Sequence, residues 1–347
     1  MAKVGFAIIG LGGIAETHAK VIESLPDCYL AAVCSRKMAK AEEFASRHVG
    51  AKAYDEVEYL LEDPDVDIVV VATPPGEHLR PAELALRAGK HVIVEKPFEK
   101  DVERAKELIE IAQDEGVYIT CIFQSRFMPA VSVIKEALES GRLGRICLVD
   151  AQVKWFRGQS YFDAAHWRGD KIICGGGVLM NQAIHAIDLL LYLVGDPVEV
   201  TAYSGTLAHK QIDVEDVSVA IMKFANGSLG VIEATTDAFP GSVKRLELNG
   251  SKGTIVLEDD AITRWEFDTK LPEDIKIMEK FSKSSSVGVT SDPKVVDIRY
   301  FVNQYKDFLY AISHGTEPNV TGDEAIRSIK LIDAIYRSSE DGRAVIL

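Results

Sequence analysis

The sequence predicts an α/β chain in two parts: an N-terminal doubly wound domain on a parallel sheet, and a C-terminal α+β domain on a large open, mostly antiparallel sheet. Three observations predict it. Gly5-Phe6-Ala7-Ile8-Ile9 runs straight into Gly10-Leu11-Gly12-Gly13-Ile14-Ala15, a buried strand breaking into a glycine turn and then a helix. Short apolar runs then alternate with helical segments as far as residue 122, which is the rhythm of βαβ units. Beyond residue 197, six β-rich runs follow one another across short polar turns such as Ala225-Asn226-Gly227, the rhythm of an antiparallel sheet. The two domains are set at 1–123 and 124–347.

In the first domain the strands are expected at Lys3-Ile9, Tyr29-Cys34, Ile68-Ala72, His91-Val94 and Tyr118-Ile122. The third and fourth are nearly all apolar, as strands covered on both faces are. Helical segments fall between them at Met38-Arg47 and Val102-Glu115. The second domain opens with a helix over Pro129-Ser140 and a strand near Ile146-Trp155, followed by a helical block over Val178-Val194. The serial strands are Val198-Thr206, Asp216-Phe224, Ser228-Thr236, Val243-Asn249, Gly253-Leu257 and Ala261-Phe267. Residues 268–296 are polar and read as one long surface loop. Two helices, near Val296-Ser313 and Gly322-Ser338, close the chain.

Composition narrows the function. With 347 residues and 47% hydrophobic content the chain can bury a large core in two domains. A net charge of −14 repels nucleic acid and anionic lipid, so neither is an expected partner. The first strand leaves no room for a cleaved leader, and no apolar run reaches the roughly 18–20 residues that span a membrane. The five cysteines, Cys28, Cys34, Cys121, Cys147 and Cys174, are scattered and odd in number. They read as reduced thiols of a cytoplasmic protein, with no disulfide frame and no metal set.

Four segments carry chemistry. In the first turn, Gly10 permits the tight bend and Gly12 removes a side chain where a pyrophosphate approaches the backbone. Ala15 allows close helix–strand packing, and the helix N-terminus at Gly13-Ile14 attracts phosphate. The second strand ends Cys34-Ser35-Arg36, where an NAD enzyme places an acid for the ribose 2′-hydroxyl. Ser35 and Arg36 instead suit a 2′-phosphate, so NADP is favoured over NAD; alternatively Arg36 is a solvated helix-start residue. The third segment is Glu95-Lys96-Pro97. Lys96 lies just past a buried strand, at the edge where doubly wound sheets bind ligands. It suits proton exchange with a substrate hydroxyl, or equally a lysine snorkelling at a strand end. The fourth is Gly175-Gly176-Gly177 followed by an apolar helix. Asn181, His185 and Asp188 fall there at i, i+4 and i+7, on one face. Such polar groups are costly in an apolar helix unless paired, and His185 has the pKa range of a general base.

Together Gly10-Leu11-Gly12-Gly13-Ile14, Glu95-Lys96-Pro97 and Gly175-Gly176-Gly177…His185-Ala186-Ile187-Asp188 resemble the glucose–fructose oxidoreductase / inositol dehydrogenase / rhizopine catabolism family. Thr73-Pro74 and Trp167-Arg168-Gly169 extend the likeness over essentially the whole chain. The resemblance implies a Rossmann domain, an open-sheet second domain, and NAD(P)-dependent oxidation or reduction of a sugar, polyol or sugar derivative. It implies Lys96 as catalytic lysine and His185 as catalytic histidine. Many inositol-dehydrogenase-like members carry Asp four residues before the histidine. Here Asn181 cannot take a proton, which weakens an assignment to inositol.

Further candidates follow. Arg126, beside Phe127, either frames the nicotinamide pocket or packs at the domain junction. Trp155, Phe156, Tyr161, His166, Trp167 and Arg168 form an aromatic loop suited to sugar stacking or to core packing. Thr73, Pro74, His78 and Glu95 are placed near the cofactor. Asp188 is a candidate for substrate binding, for orienting His185, or only for capping a polar network. A nucleotide-sugar dehydrogenase and a non-catalytic NAD(P) sensor are the alternatives on the same fold. The second-domain sheet is too large for the chain's own helices to cover, so a homodimer or homotetramer is expected.

Overall fold

The computed structural model describes residues 3–283 and 297–347. The described chain divides into two compact units. One comprises the residues up to Gln124, Ile172–Gly175, and the C-terminal stretch as far as Ile329. The other comprises Ser125–Lys171, the stretch from Gly176 through the sheet strands, and Lys330–Leu347. The break at 124 lies beside the expected one. The division is otherwise not the simple 1–123 and 124–347, because residues 172–175 and 297–329 return to the first unit.

The first unit contains β1 (Val4–Ile9), α1 (Ala15–Ser24), β2 (Cys28–Cys34), α2 (Met38–Ala45), β3 (Lys52–Tyr54), α3 (Val57–Leu61), β4 (Ile68–Val71), α4 (Leu79–Arg87), β5 (His91–Val94), α5 (Val102–Asp114) and β6 (Ile119–Cys121). Its six strands are all parallel, in the order β3-β2-β1-β4-β5-β6. The first strand of each half is central and the order reverses beside it, the arrangement in which ligands bind past the strands' carboxyl ends. β4 is buried along its whole length, so both sheet faces need helices. The late helix Ile298–His314 supplies part of that cover: Phe301, Tyr305 and Phe308 pack with Phe6, Ile8, Ala19 and Ile22. Gln304 of the same helix donates to the Cys121 carbonyl (2.6 Å) and accepts from the Phe123 amide (3.1 Å), capping the last strand with a side chain.

The second unit holds α6 (Pro129–Glu139), β7 (Ile146–Lys154), α7 (Gln159–Asp163) and α9 (Ile184–Val194), while the short α8 (Lys171–Cys174) belongs, past Lys171, to the first. Then come β8 (Pro197–Gly205), β9 (Val217–Phe224), β10 (Leu229–Thr235), β11 (Arg245–Gly250), β12 (Gly253–Glu258), β13 (Ala261–Phe267) and α10 (Pro272–Phe281). The chain closes with α11 (Ile298–His314), α12 (Gly322–Asp341) and β14 (Val345–Ile346). The eight strands run in the order β13-β12-β11-β7-β10-β9-β8-β14. All pairs are antiparallel except β7 with β10. That one parallel pair follows from the helical block between β7 and β8, which lets the later strands enter the sheet beside β7 in its own direction. β9 alternates strictly: Ser218, Ala220, Met222 and Phe224 are buried, while Val219, Ile221 and Lys223 face outward.

Two sequence expectations are corrected here, and two short strands are added. The loop over 268–296 contains α10, whose Pro at the first position and Asp274 acting back on the Leu271 amide start a helix; the rest of the serine-rich stretch, 284–296, lies outside the described residues. The short edge strands β3 and β14 carry too few residues to show a period. Lys171–Val194 is, by length and composition, apolar enough to cross a membrane. However, 78% of that window is buried inside the protein, as in a core helix.

Candidate active site

In the first unit, sheet register brings the expected cofactor residues to one edge. The Gly10 amide donates to the Cys34 carbonyl, Ala72 to Ile9, Glu95 to Val71 and Ile122 to Val94. Gly10, Ser35, Thr73, Glu95 and Lys96 therefore all follow directly on strand ends along the same carboxyl edge. Gly10 has φ +95°, and a Cβ there would lie 2.6 Å from the Thr73 amide nitrogen, so glycine is required twice over. A Cβ on Gly12 would approach nothing closer than 4.0 Å, and one on Gly13 nothing within 4 Å, so open space lies beside the turn. Ile14 occupies the N-cap of α1 without a side-chain hydrogen bond to the helix. A glycine turn with open space before an uncapped helix start fits a dinucleotide pyrophosphate.

The neighbouring turns are more specific than their sequence suggests. The Thr73 hydroxyl donates to the Glu77 carbonyl (3.0 Å), and Pro74 leads into a 3-10 turn over Pro75–Glu77. Ser35 donates its amide to the Tyr54 carbonyl. The Arg36 side chain is 86% exposed, with one long contact to Glu77 (3.5 Å). His78, expected near the cofactor, is fully buried, and its ring nitrogens lie 2.9 Å from the Thr73 carbonyl and 3.1 Å from that of Pro97. Burial pushes its pKa down. His78 is a clamp between two turns. Lys96 is half-buried, and its amide donates to its neighbour's carboxylate, Glu95 Oε2, at 2.9 Å; the Lys96–Pro97 bond is cis.

In the second unit the glycine run is built around a residue the sequence reading passed over. Glu215 accepts from the amides of Gly177 (2.8 Å) and Leu179 (2.9 Å) and from the Tyr336 hydroxyl (2.9 Å). A Cβ on Gly176 would lie 2.0 Å from that hydroxyl, and one on Gly177 1.8 Å from the Glu215 carbonyl. Glycine is thus needed for close approach, and Glu215 caps the helix start. Burial raises its carboxyl, against those donors. Leu179–Ala183 forms a π-helical turn before α9, a feature frequent at functional sites. The Asn181 amide is turned back onto the Gly176 and Gly177 carbonyls (3.0 and 3.3 Å). His185 sits half-buried in the first turn of α9.

Asp188 and Arg126, candidates for the substrate pocket or for internal pairing, lie against each other as a buried ion pair. Arg126 Nη2 and Nε reach the two Asp188 oxygens at 2.7 and 2.9 Å, with side chains only 2% and 1% exposed. Arg126 also covers the Tyr192 ring at 4.7 Å. The aromatic segment is helical rather than a plain loop: Tyr161 lies on α7, and His166, Trp167 and Arg168 on a 3-10 turn. The Arg168 guanidinium stacks on Tyr161 at 4.1 Å and donates to its carbonyl, with Trp167 at 5.6 Å. The Tyr161 hydroxyl accepts from Gln182 of the π turn (3.1 Å), which ties this segment to the helix carrying His185.

Sequence alone offered no metal set. Among the described residues, one group of that type assembles: His209 Nδ1 is 3.1 Å from both Asp216 Oδ2 and Asp237 Oδ1. Asp216 already accepts three backbone amides, from Leu207, Ala208 and His209. His209 Nε2 donates to the Arg157 carbonyl at 2.6 Å. Burial, and then the Asp216 charge, push the Asp237 carboxyl up to about 6. The corner is closed by protein groups, and the lone pairs of Asp216 are already heavily used.

Comparison with known proteins matches both units. Residues 4–123 match the oxidoreductase family with an NAD-binding Rossmann fold, and residues 131–256 match the GFO/IDH/MocA C-terminal domain. Inositol 2-dehydrogenase of Rhizobium meliloti is 29% identical over 99% of this chain and 98% of its own. Levoglucosan dehydrogenase of Pseudarthrobacter phenanthrenivorans is 28% identical over 74% of each. The crystal structure of the WlbA dehydrogenase from Bordetella pertussis, in complex with NADH and UDP-GlcNAcA, superposes with a TM-score of 0.89. It has 32% identity and covers 100% of this chain and 98% of its own.

Proposed function

From the premise that the chain belongs to the GFO/IDH/MocA oxidoreductase family, we propose that it oxidises a hydroxyl carbon of a sugar, polyol or sugar derivative, or reduces the corresponding ketone. The observation that carries the reading is the common carboxyl edge of the parallel sheet. That edge puts the glycine turn at Gly10–Gly13 and Lys96 in one row, past β1 and past β5, which is separated from it only by β4. The bound dinucleotide supplies the hydride acceptor or donor. Gly10, Gly12, Gly13 and Ile14 would hold its pyrophosphate, Thr73 and Pro74 would shape the adjoining wall, and Ser35 and Arg36 would meet the ribose 2′ position.

His185 takes the proton of the substrate hydroxyl. Lys96 polarises the same oxygen and relays charge; in the reverse direction the two return the proton. Asn181 contributes a neutral amide where a proton-taking carboxylate would otherwise act, so it orients the helix start and a substrate hydroxyl without joining the relay. Trp167 and Arg168 offer an aromatic and cationic surface to a sugar ring.

A second reading, a nucleotide-sugar substrate, is favoured by one observation: the likeness to the WlbA dehydrogenase extends over the full chain at 32% identity. The deciding experiment follows reduced-cofactor absorbance with NAD and NADP against polyols, aldoses, anhydrosugars and nucleotide sugars. His185→Ala and Lys96→Ala should each lose at least about 10²-fold in kcat on the substrate found. Wild-type turnover in either variant removes that residue from the mechanism. Tight cofactor binding with no turnover across the panel would favour a sensor.

A further inference from the structure

We propose that His18 is a positioning residue for Lys96, acting through the Glu95 carboxylate that it holds against the Lys96 backbone. The inference rests on the reading of Lys96 as a proton-transfer residue. Three elements meet at this point: α1 brings His18, the end of β5 brings Glu95, and α11 brings Tyr305. All are within the first unit. His18 is fully buried, Tyr305 is 1% exposed and Glu95 is 7% exposed.

One hydrogen-bond direction is fixed by chemistry. The Glu95 carboxylate only accepts, so His18 Nε2, 3.0 Å from Oε1, carries a proton. The Tyr305 hydroxyl lies 2.7 Å from His18 Nδ1, its one hydrogen-bond partner among the described residues. The His18 ring therefore bridges the Tyr305 hydroxyl, at Nδ1, and Glu95 Oε1, at Nε2. Glu95 Oε2 in turn receives the Lys96 amide at 2.9 Å.

Phe301 meets the His18 ring edge-on at 5.8 Å, and Tyr305 stacks on Phe6 at 5.7 Å, so the ring cannot swing away without losing packing. Burial alone would raise the Glu95 carboxyl; the His18 hydrogen bond and charge, and then the charge and amide of Lys96, more than offset it and hold it below the usual carboxylate range. The other groups near Glu95 do not replace His18. Cys121 Sγ lies 3.9 Å from the Glu95 backbone carbonyl. His78 feels the Glu95 charge but is clamped on two carbonyls.

The Lys96 amide points at Glu95, so its ¹⁵N–¹H chemical shift reports that carboxylate without any substrate. Full-length protein labelled with ¹⁵N-lysine, with Lys96→Ala identifying the signal by its loss, is titrated from pH 5.5 to 8.5. The wild-type signal should stay flat. In His18→Leu, Glu95 loses its buried donor, and the signal should titrate within that window. kcat on the substrate found by the panel should acquire an acid limb at the same midpoint, with the NADH dissociation constant unchanged by fluorescence. His18→Gln can donate to Glu95 and accept from Tyr305, and should restore the flat signal.

Where His18→Leu fails to fold, His18→Phe keeps a ring against Phe301 and reads the same titration. A flat signal and an unchanged pH profile in the folded donor-less variant overturn the proposal, as does a titration equally present in His18→Gln. Wild-type kcat in Lys96→Ala overturns the role of Lys96 instead, and leaves the amide titration as an independent result.

Discussion

Replacing Asp188 with alanine separates a structural pair from a substrate ligand. The Arg126 and Asp188 side chains are 2% and 1% exposed and joined by contacts of 2.7, 2.9 and 3.2 Å. Removing the carboxylate strands a guanidinium in the interior, which costs about 3–5 kcal/mol. Lys244 sharpens the effect. Burial already pushes its ammonium pKa down, and Asp188 is one of three carboxylates, with Asp259 and Asp260, that oppose this.

A loss of that size is a fifth or more of the stability of an ordinary domain, about 5–15 kcal/mol. Urea unfolding followed by circular dichroism should show it. The double replacement Arg126→Met with Asp188→Leu removes both charges. It should cost far less than Asp188→Ala, because no unpaired ion remains. A substrate ligand behaves in the opposite way: stability holds and KM rises. A cost below about 1 kcal/mol for Asp188→Ala, or a double variant as damaged as the sum of the singles, would refute the assignment.

Other outcomes follow from the same geometry. The folded-state pKa of Asp237, pushed up to about 6, lies above its unfolded value, so its contribution to stability is fullest below about pH 4 and is lost as pH rises through 6. Asp237→Asn should therefore gain on wild type by about 1–2 kcal/mol at pH 8 relative to pH 4.5, screening at this partly exposed site included; an equal difference at the two pH values counts against it. Arg36→Ala should reduce any NADP preference measured by calorimetry about 1.5–5-fold, the range of an exposed charge contact; unmodified protein binding NAD and NADP equally would remove Arg36 from cofactor choice. Leu148, Tyr203, Val219, Ile221 and Leu229 are exposed together on the outer face of the second-unit sheet. We expect them to be covered by a second copy, so Ile221→Glu should lower the mass found by light scattering; a monomeric wild type at micromolar concentration would contradict this.

The legible parts of this protein are those governed by local rules. The glycine turn could be read because Gly10 must take positive φ and the residues before it form a fully apolar strand. β4, β5 and α5 could be read because burial on two faces, or on one helical stripe, leaves a period in the sequence. The row formed by Gly10, Ser35, Thr73 and Lys96 could be read as well, since parallel strands of similar length end at one edge.

What escaped depends on partners far along the chain. The sequence left Asp188 open between substrate, His185 and a polar network, because Arg126, 62 residues earlier, leaves no mark near it. His78 is closed by carbonyls of Thr73 and Pro97, and backbone acceptors have no sequence signature. Glu215 caps a helix start 36 residues before it, and its meaning appears only when a Cβ on Gly177 is seen to collide with its carbonyl. The sequence by itself determined the parallel sheet, its glycine turn and the helix bearing His185, since strand burial, backbone freedom and helical period are properties of neighbours. Tertiary structure alone decided which polar groups are already paired and which stand behind Lys96. Pairing at 2.7–3.1 Å is set by the packing of α1, β5, α9 and α11, and no local pattern encodes it.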